Sequence, residues 1–236
     1  TGIDTVKIGK DSICSKNDIT VESSVFGGCT NFKTLYLNKS IVQGSNSSNA
    51  FASITKVYLG KGKISLGLCS FDGCTNLNKI IINSDSLSIG NSAFGSCTSL
   101  KTINLSRANS LSENAFWGCS SLDSITIPSL IRNIYPYTFY HCGSLQNLML
   151  SDSIVNIANN AFDGCTSLTS VTFPQALKTI GKNAFANCSG IRSLTLNSNL
   201  KTISDYSFAD CIALNAITFP ASLRNIGDNA FQNCSL

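Results

Sequence analysis

The residues from Phe162 to Ala184, FDGCTSLTSVTFPQALKTIGKNA, form one unit of a sentence that the chain repeats on both sides. Its apolar positions are Phe162, Cys165, Leu168, Val171, Phe173, Leu177, Ile180 and Ala184. Equivalent phenylalanines recur at Phe26, Phe51, Phe71, Phe94, Phe116, Phe139, Phe162, Phe185, Phe208 and Phe231, and the last six stand 23 residues apart. A unit this short cannot bury its own apolar face. Only stacking on its neighbours makes a continuous core, so a fixed period of this length predicts a solenoid.

That period makes one elongated domain the expectation for residues 1–236, in about ten units of 20–25 residues, irregular over 1–70 and regular over 71–236. Apolar residues at 43% supply ample core, and charged residues at 13% leave a surface built mainly of Ser, Thr and Asn. The net charge of +4 is uneven: residues 1–110 hold eleven Lys or Arg against six acids, and the remainder six against seven. The bias favours an acidic partner near the N-terminal end and falls short of the dense basic stripe of a nucleic-acid binder. No apolar run is long enough to enter a membrane as a spanning helix. The chain starts at Thr1 without a leader pattern and stops five residues after Phe231, which reads as a piece of a longer chain.

Within a unit the segment L-x-x-I-x-I alternates and carries β-branched residues, as a short strand does. Pro128, Pro174 and Pro220 directly follow such segments, where a missing N–H ends pairing. The remainder, L-x-x-I-G-x-x-A-F, has spacing of three and is expected to form turns or short 3₁₀ pieces on the outer side. Successive strands then lie parallel in a right-handed coil. The coil after Phe51 lacks the Cys turn, leaving Ile54, Val57 and Leu59 as its strand, and the step from Phe94 to Phe116 is one residue short near Arg107 to Leu111.

The pattern L-x-x-I-x-I-P-x-x-L-x-x-I-G-x-x-A-F-x-x-C, complete at Leu168 to Cys188 and again at Leu214 to Cys234, resembles the BspA-like class of leucine-rich repeat over essentially the whole chain. The resemblance implies a curved leucine-rich-repeat solenoid with a parallel β-sheet on the concave side. It also implies a place in the surface proteins of anaerobic bacteria and protozoan parasites, which adhere to host or matrix proteins. It brings no catalytic residues.

Nine of the eleven cysteines, from Cys29 to Cys234, stand three residues after an anchor Phe. Stacked equivalent positions have parallel Cβ vectors about one strand spacing apart, whereas a disulfide needs converging ones, so a ladder of buried thiols is expected. Cys14 and Cys69 fall off the ladder and are the one pair to suspect of bridging. A linear ladder offers no convergent ligand set for zinc, and no metal or other cofactor is expected. His141 is the only histidine, no nucleophile motif accompanies it, and no phosphate-binding glycine loop occurs. The chain therefore does not read as an enzyme.

Two surfaces stand out as candidates for a partner. Between the aliphatic positions of the strand, the outward residue is Tyr36, Tyr58 and Ile81 in successive N-terminal coils, flanked by Lys33, Lys56, Lys79 and Lys101. Aromatic rings beside cations on the concave sheet suit protein recognition. The second surface is an edge where Trp117 and Tyr140 follow the anchors of adjacent coils, near Tyr135, Tyr137 and His141. Such a cluster suits a partner or sugar rings, and equally suits covering a wider coil. The reading is a non-enzymatic protein-binding or adhesion module at a cell surface or secreted, holding a protein or glycoprotein, without nucleic acid and without insertion in a membrane. The alternatives are an intracellular interaction scaffold and a structural spacer rod that associates end to end through an open sheet edge.

Overall fold

A computed structural model describes residues 5–8, 19–21, 31–38, 41–43 and 51–236. In chain order the first strands are β1 (Thr5–Ile8), β2 (Ile19–Val21), β3 (Thr34–Leu37), β4 (Ile41–Gln43), β5 (Lys56–Leu59), β6 (Lys63–Leu66), β7 (Lys79–Ile82), β8 (Ser86–Ile89) and β9 (Ala108–Leu111). They are followed by β10 (Ser124–Thr126), β11 (Asn133–Ile134), β12 (Asn147–Met149), β13 (Asn156–Ile157), β14 (Ser170–Thr172), β15 (Thr179–Ile180), β16 (Ser193–Thr195), β17 (Thr202–Ile203) and β18 (Asn225–Ile226). All pair in parallel, and no helix occurs among the described residues.

Two ladders run along the stack. One uses the L-x-x-I-x-I segments, in the orders β1-β3-β5-β7, β10-β12 and β14-β16. Its register follows the repeat, with Val57 beside Ile80 and Leu59 beside Ile82. The other ladder, β2-β4-β6-β8-β9 and β11-β13-β15-β17-β18, uses the L-x-x-I-G segments. Those segments were expected to form turns or 3₁₀ pieces. Their β-branched residues extend instead, and the following residue donates back to the preceding coil, as Gly181 N–H does to the Ile157 carbonyl at 2.9 Å. Turns remain around the anchors and in the link from the first-ladder strand to the second, as where Leu177 N–H reaches the Pro174 carbonyl at 3.0 Å.

The core fills the space between the ladders. Phe94, Phe116, Phe139, Phe162, Phe185 and Phe208 are fully buried and stack ring on ring, with centroids 5.5 Å apart at Phe116–Phe139 and 5.0 Å at Phe162–Phe185. Inter-coil hydrogen bonds continue through this column, from Phe162 N–H to the Ala184 carbonyl at 2.8 Å. From Phe71 onward the residues two before and two after each anchor take left-handed backbone angles: Asn183 and Asn187 around Phe185, Asn229 and Asn233 around Phe231. Asn tolerates that region better than most residues, which gives the asparagines at these positions a physical reason.

The irregular coils settle where the sequence places them. Ile54 is buried and its N–H reaches the Phe51 carbonyl at 3.0 Å, so the anchor turn leads straight into β5 without a Cys turn. Between β8 and β9 the register slips from Leu87–Ala108 to Ser88–Ser110, a bulge that absorbs the short step.

Candidate interaction surfaces

On β5 the exposed and buried residues alternate, turning Val57 and Leu59 inward and Lys56 and Tyr58 outward. Parallel register then lays Tyr36, Tyr58 and Ile81 in one row and sets Lys56 beside Lys79 in the next. The Tyr36 and Tyr58 rings stack with centroids 4.4 Å apart and planes 9° from parallel. Lys33 and Lys101 are exposed but sit one residue before the strand rows, outside the Lys56–Lys79 pair. The Lys33 carbonyl accepts the Lys56 N–H at 3.0 Å, and the Lys101 carbonyl accepts the Asp123 N–H at 2.9 Å. Opposed lysines repel, a cost that an anionic partner would remove.

The aromatic edge divides in two. Tyr137 and Tyr140 meet edge to face at 5.4 Å, and Tyr140 lies 4.1 Å from the His141 ring. His141 is exposed over Gly164, where a Cβ would come within 3.2 Å of the imidazole. Tyr135 and Tyr137 are 45% and 41% exposed, high for rings of this size. Trp117 turns the other way. Its indole lies on Gly95, where a Cβ would stand 2.1 Å from Nε1, on the side of Asp72. Trp117 thus fills a space left by glycine, while the Tyr137–Tyr140–His141 group faces solvent. Burial pushes the Asp72 carboxyl up, and its Oδ1 has no hydrogen-bond partner.

Sequence reasoning missed the backbone under this group. Tyr137 and His141 both hold left-handed angles, φ 56° and 58°, at positions where most other coils place Asn, Ser, Asp or Gly, with Cys69 and Tyr206 the other exceptions. Bulky residues there are outliers of the kind that cluster at functional sites. The available signal was the combination of Tyr137 two before an anchor with His141 two after it, whereas Tyr206 stands before Phe208 with Asp210 after it.

The ladder cysteines from Cys74 to Cys211 are free thiols buried in the core, Cys234 is free and half-buried, and Cys69 is free as well; Cys14, the other half of the suspected bridge, lies outside the described residues, as does Cys29. Each ladder thiol from Cys97 onward donates to an anchor carbonyl one coil back, as Cys142 does to Phe116 at 3.2 Å and Cys165 to Phe139 at 3.3 Å. Burial raises their pKa values, that of Cys119 to about 12, which keeps them protonated and unreactive. Among the described residues no group of three His, Cys, Asp or Glu side chains converges on a metal geometry, and no helix is long and apolar enough to cross a membrane.

A stack of parallel strands on a phenylalanine column defines a leucine-rich-repeat solenoid. The chain belongs to the BspA type leucine-rich repeat family, whose model matches residues 10–122 and 109–236. Among solved structures it is similar to a leucine-rich repeat protein from Eubacterium ventriosum, at 19% identity over 99% of this chain and 83% of that one, with a TM-score of 0.59. A leucine-rich repeat protein from Bacteroides ovatus is similar at 20% identity over 97% of this chain and 84% of that one, with a TM-score of 0.52. Both likenesses concern the fold. No curated protein matches the chain.

Proposed function

We propose that the chain is a non-enzymatic binding module of a cell-surface protein, one elongated domain that holds an acidic protein or glycoprotein segment on the face of β3, β5 and β7. The observation that carries this reading is the Tyr36–Tyr58 stack beside the Lys56–Lys79 pair. Stacked, half-exposed tyrosines offer rigid contact area at low entropy cost, and the lysines add charge selection and a faster encounter. Family membership supports the surface setting. The aromatic edge at Tyr137, Tyr140 and His141 is a second contact for the same kind of partner.

The test is binding to immobilised matrix proteins and to a glycan array by the parent chain, by Tyr36→Ala with Tyr58→Ala, and by Tyr140→Ala with His141→Ala. Saturable binding lost only in the first pair supports the β3-β5-β7 face, and loss only in the second moves the site to the edge. Unchanged binding in both folded variants rejects the two surfaces. One other reading has an observation of its own: the buried free thiols suit a reducing compartment and hence an intracellular scaffold. A secretion signal on the full-length precursor would exclude it.

A further inference from the structure

Beyond a gap between β7 and residues 102–105, where no proline stands, the first ladder is interrupted at regular intervals. In the coils before the break, the residue after the strand donates its N–H back to the preceding coil: Gly60 to the Leu37 carbonyl at 2.7 Å and Asn83 to the Leu59 carbonyl at 2.8 Å. Pro128, Pro174 and Pro220 occupy this position in every second coil from there on, 46 residues apart, and have no N–H to give. The pairing that each would join is correspondingly lost. Thr102 and Ser124 share only an isolated bridge, β12 and β14 share no ladder, and Ser193 and Ala216 again share only a bridge.

Clefts open at the first two of these proline-marked breaks. One of about 360 Å³ lies between residues 102–106 and 124–128, and one of about 520 Å³ between residues 148–152 and 170–175. Both fall in the roughly 300–1,000 Å³ range of small-ligand sites. The lining of the first contains no charged residue, and that of the second only Asp152. Hydroxyls and amides such as Asn104, Thr126 and Thr172 alternate there with strand backbone that lacks its ladder partners. By strand spacing the clefts stand two coils, roughly 10 Å, apart.

We infer that these clefts form a periodic docking face for a linear, uncharged polysaccharide with a two-sugar repeat. Sugar hydroxyls both donate and accept, so they satisfy freed N–H and C=O groups alike, and an uncharged lining neither attracts nor repels a neutral chain. In an extended β-1,4-linked glycan alternate rings are flipped, so identical edges recur every second sugar, a repeat of the same order as two coils. One glycan then engages successive clefts, and each further cleft adds avidity without new chemistry. The clefts lie further along the same ladder as the tyrosine and lysine rows, on later coils.

The experiment is titration calorimetry of the chain with cellobiose and with cellohexaose, repeated on Pro128→Asn with Pro174→Asn, which restores both donors. Cellohexaose is expected to bind at least about ten-fold tighter than cellobiose, because only the longer chain spans two clefts, and the double variant is expected to lose that gain. Should the variant not fold, Thr126→Arg with Thr172→Arg, at exposed positions, is expected to lose it instead. Absence of saturable cellohexaose binding, equal affinity for both lengths, or full affinity in a folded variant would overturn the inference. Equally tight binding of an uncharged extended peptide of similar length would overturn the glycan assignment.

Discussion

The thiol of Cys188 donates a hydrogen bond to the carbonyl oxygen of Phe162, 26 residues earlier, at 3.1 Å. The same carbonyl also accepts the Cys165 N–H at 3.2 Å, so the sulfur takes its second lone pair and ties two coils together. Cys188→Ser keeps a donor in place, whereas Cys188→Ala removes it and leaves a small void. Ala is expected to cost about 1–2 kcal/mol in chemical denaturation, and Ser less. A Ser variant less stable than Ala would show that sulfur packing, not the hydrogen bond, holds this position.

The ladder thiols also make stability depend on pH. Their folded pKa values are raised by burial above the ordinary 9.0, that of Cys119 to about 12. Below pH 9 both states hold the protons, and stability is complete. Between about 9 and 12 the unfolded chain releases protons that the folded chain keeps, so it binds fewer and gains stability relative to the native state. Each such thiol then costs about 1.4 kcal/mol per pH unit. Melting temperature is expected to be level from pH 7 to 8.5 and to fall steeply above 9. A flat profile to pH 11 would contradict the buried, protonated ladder.

Alkylation separates the thiols by position. Cys69 and Cys234 are half-buried, whereas Cys97 to Cys211 on the ladder are fully buried. Mass spectrometry after brief iodoacetamide treatment under native conditions is expected to find label at Cys69 and Cys234 among the described cysteines, and the rest only after denaturation. Early labelling of Cys165 would mean that its coil opens locally.

Phe185 sits in the middle of the ring column, 5.0 Å from Phe162 and 5.5 Å from Phe208, with Phe173 edge-on at 5.5 Å. Phe185→Ala is expected to cost about 3–5 kcal/mol, because neighbours held by the repeat on both sides have little freedom to collapse into the void. Urea denaturation measures the loss.

This column was legible in the sequence because Phe recurs once per unit and nothing competes for its place; the cysteine row three residues later was legible for the same reason. The second ladder was hidden because its strands shrink to pairs such as Thr179–Ile180 and Thr202–Ile203, too short for alternation to distinguish strand from turn. The prolines read as strand ends, and only the hydrogen-bond direction at Gly60 and Asn83 reveals which neighbour loses a donor. The Tyr36, Tyr58 and Ile81 row followed from alternation and register. The direction taken by Trp117 depends on the missing side chain at Gly95, one coil away, and no local pattern carries it.

Tyr137 gives a test in which stability and function pull apart. Its φ of 56° is a conformation that costs most residues on the order of 1 kcal/mol and suits Asn, and at 41% exposure its ring recovers only part of that through contact with Tyr140. Tyr137→Asn is therefore expected to raise stability by about 0.5–1 kcal/mol, whereas Tyr137→Gly gains less because glycine also loosens the unfolded chain. If the edge contacts a partner, the Asn variant binds that partner more weakly while melting higher, the trade-off expected where strain serves recognition. A Tyr137→Asn variant that melts lower would show that the ring's packing against Tyr140 outweighs the backbone strain, and would place Tyr137 with the core rather than with the surface.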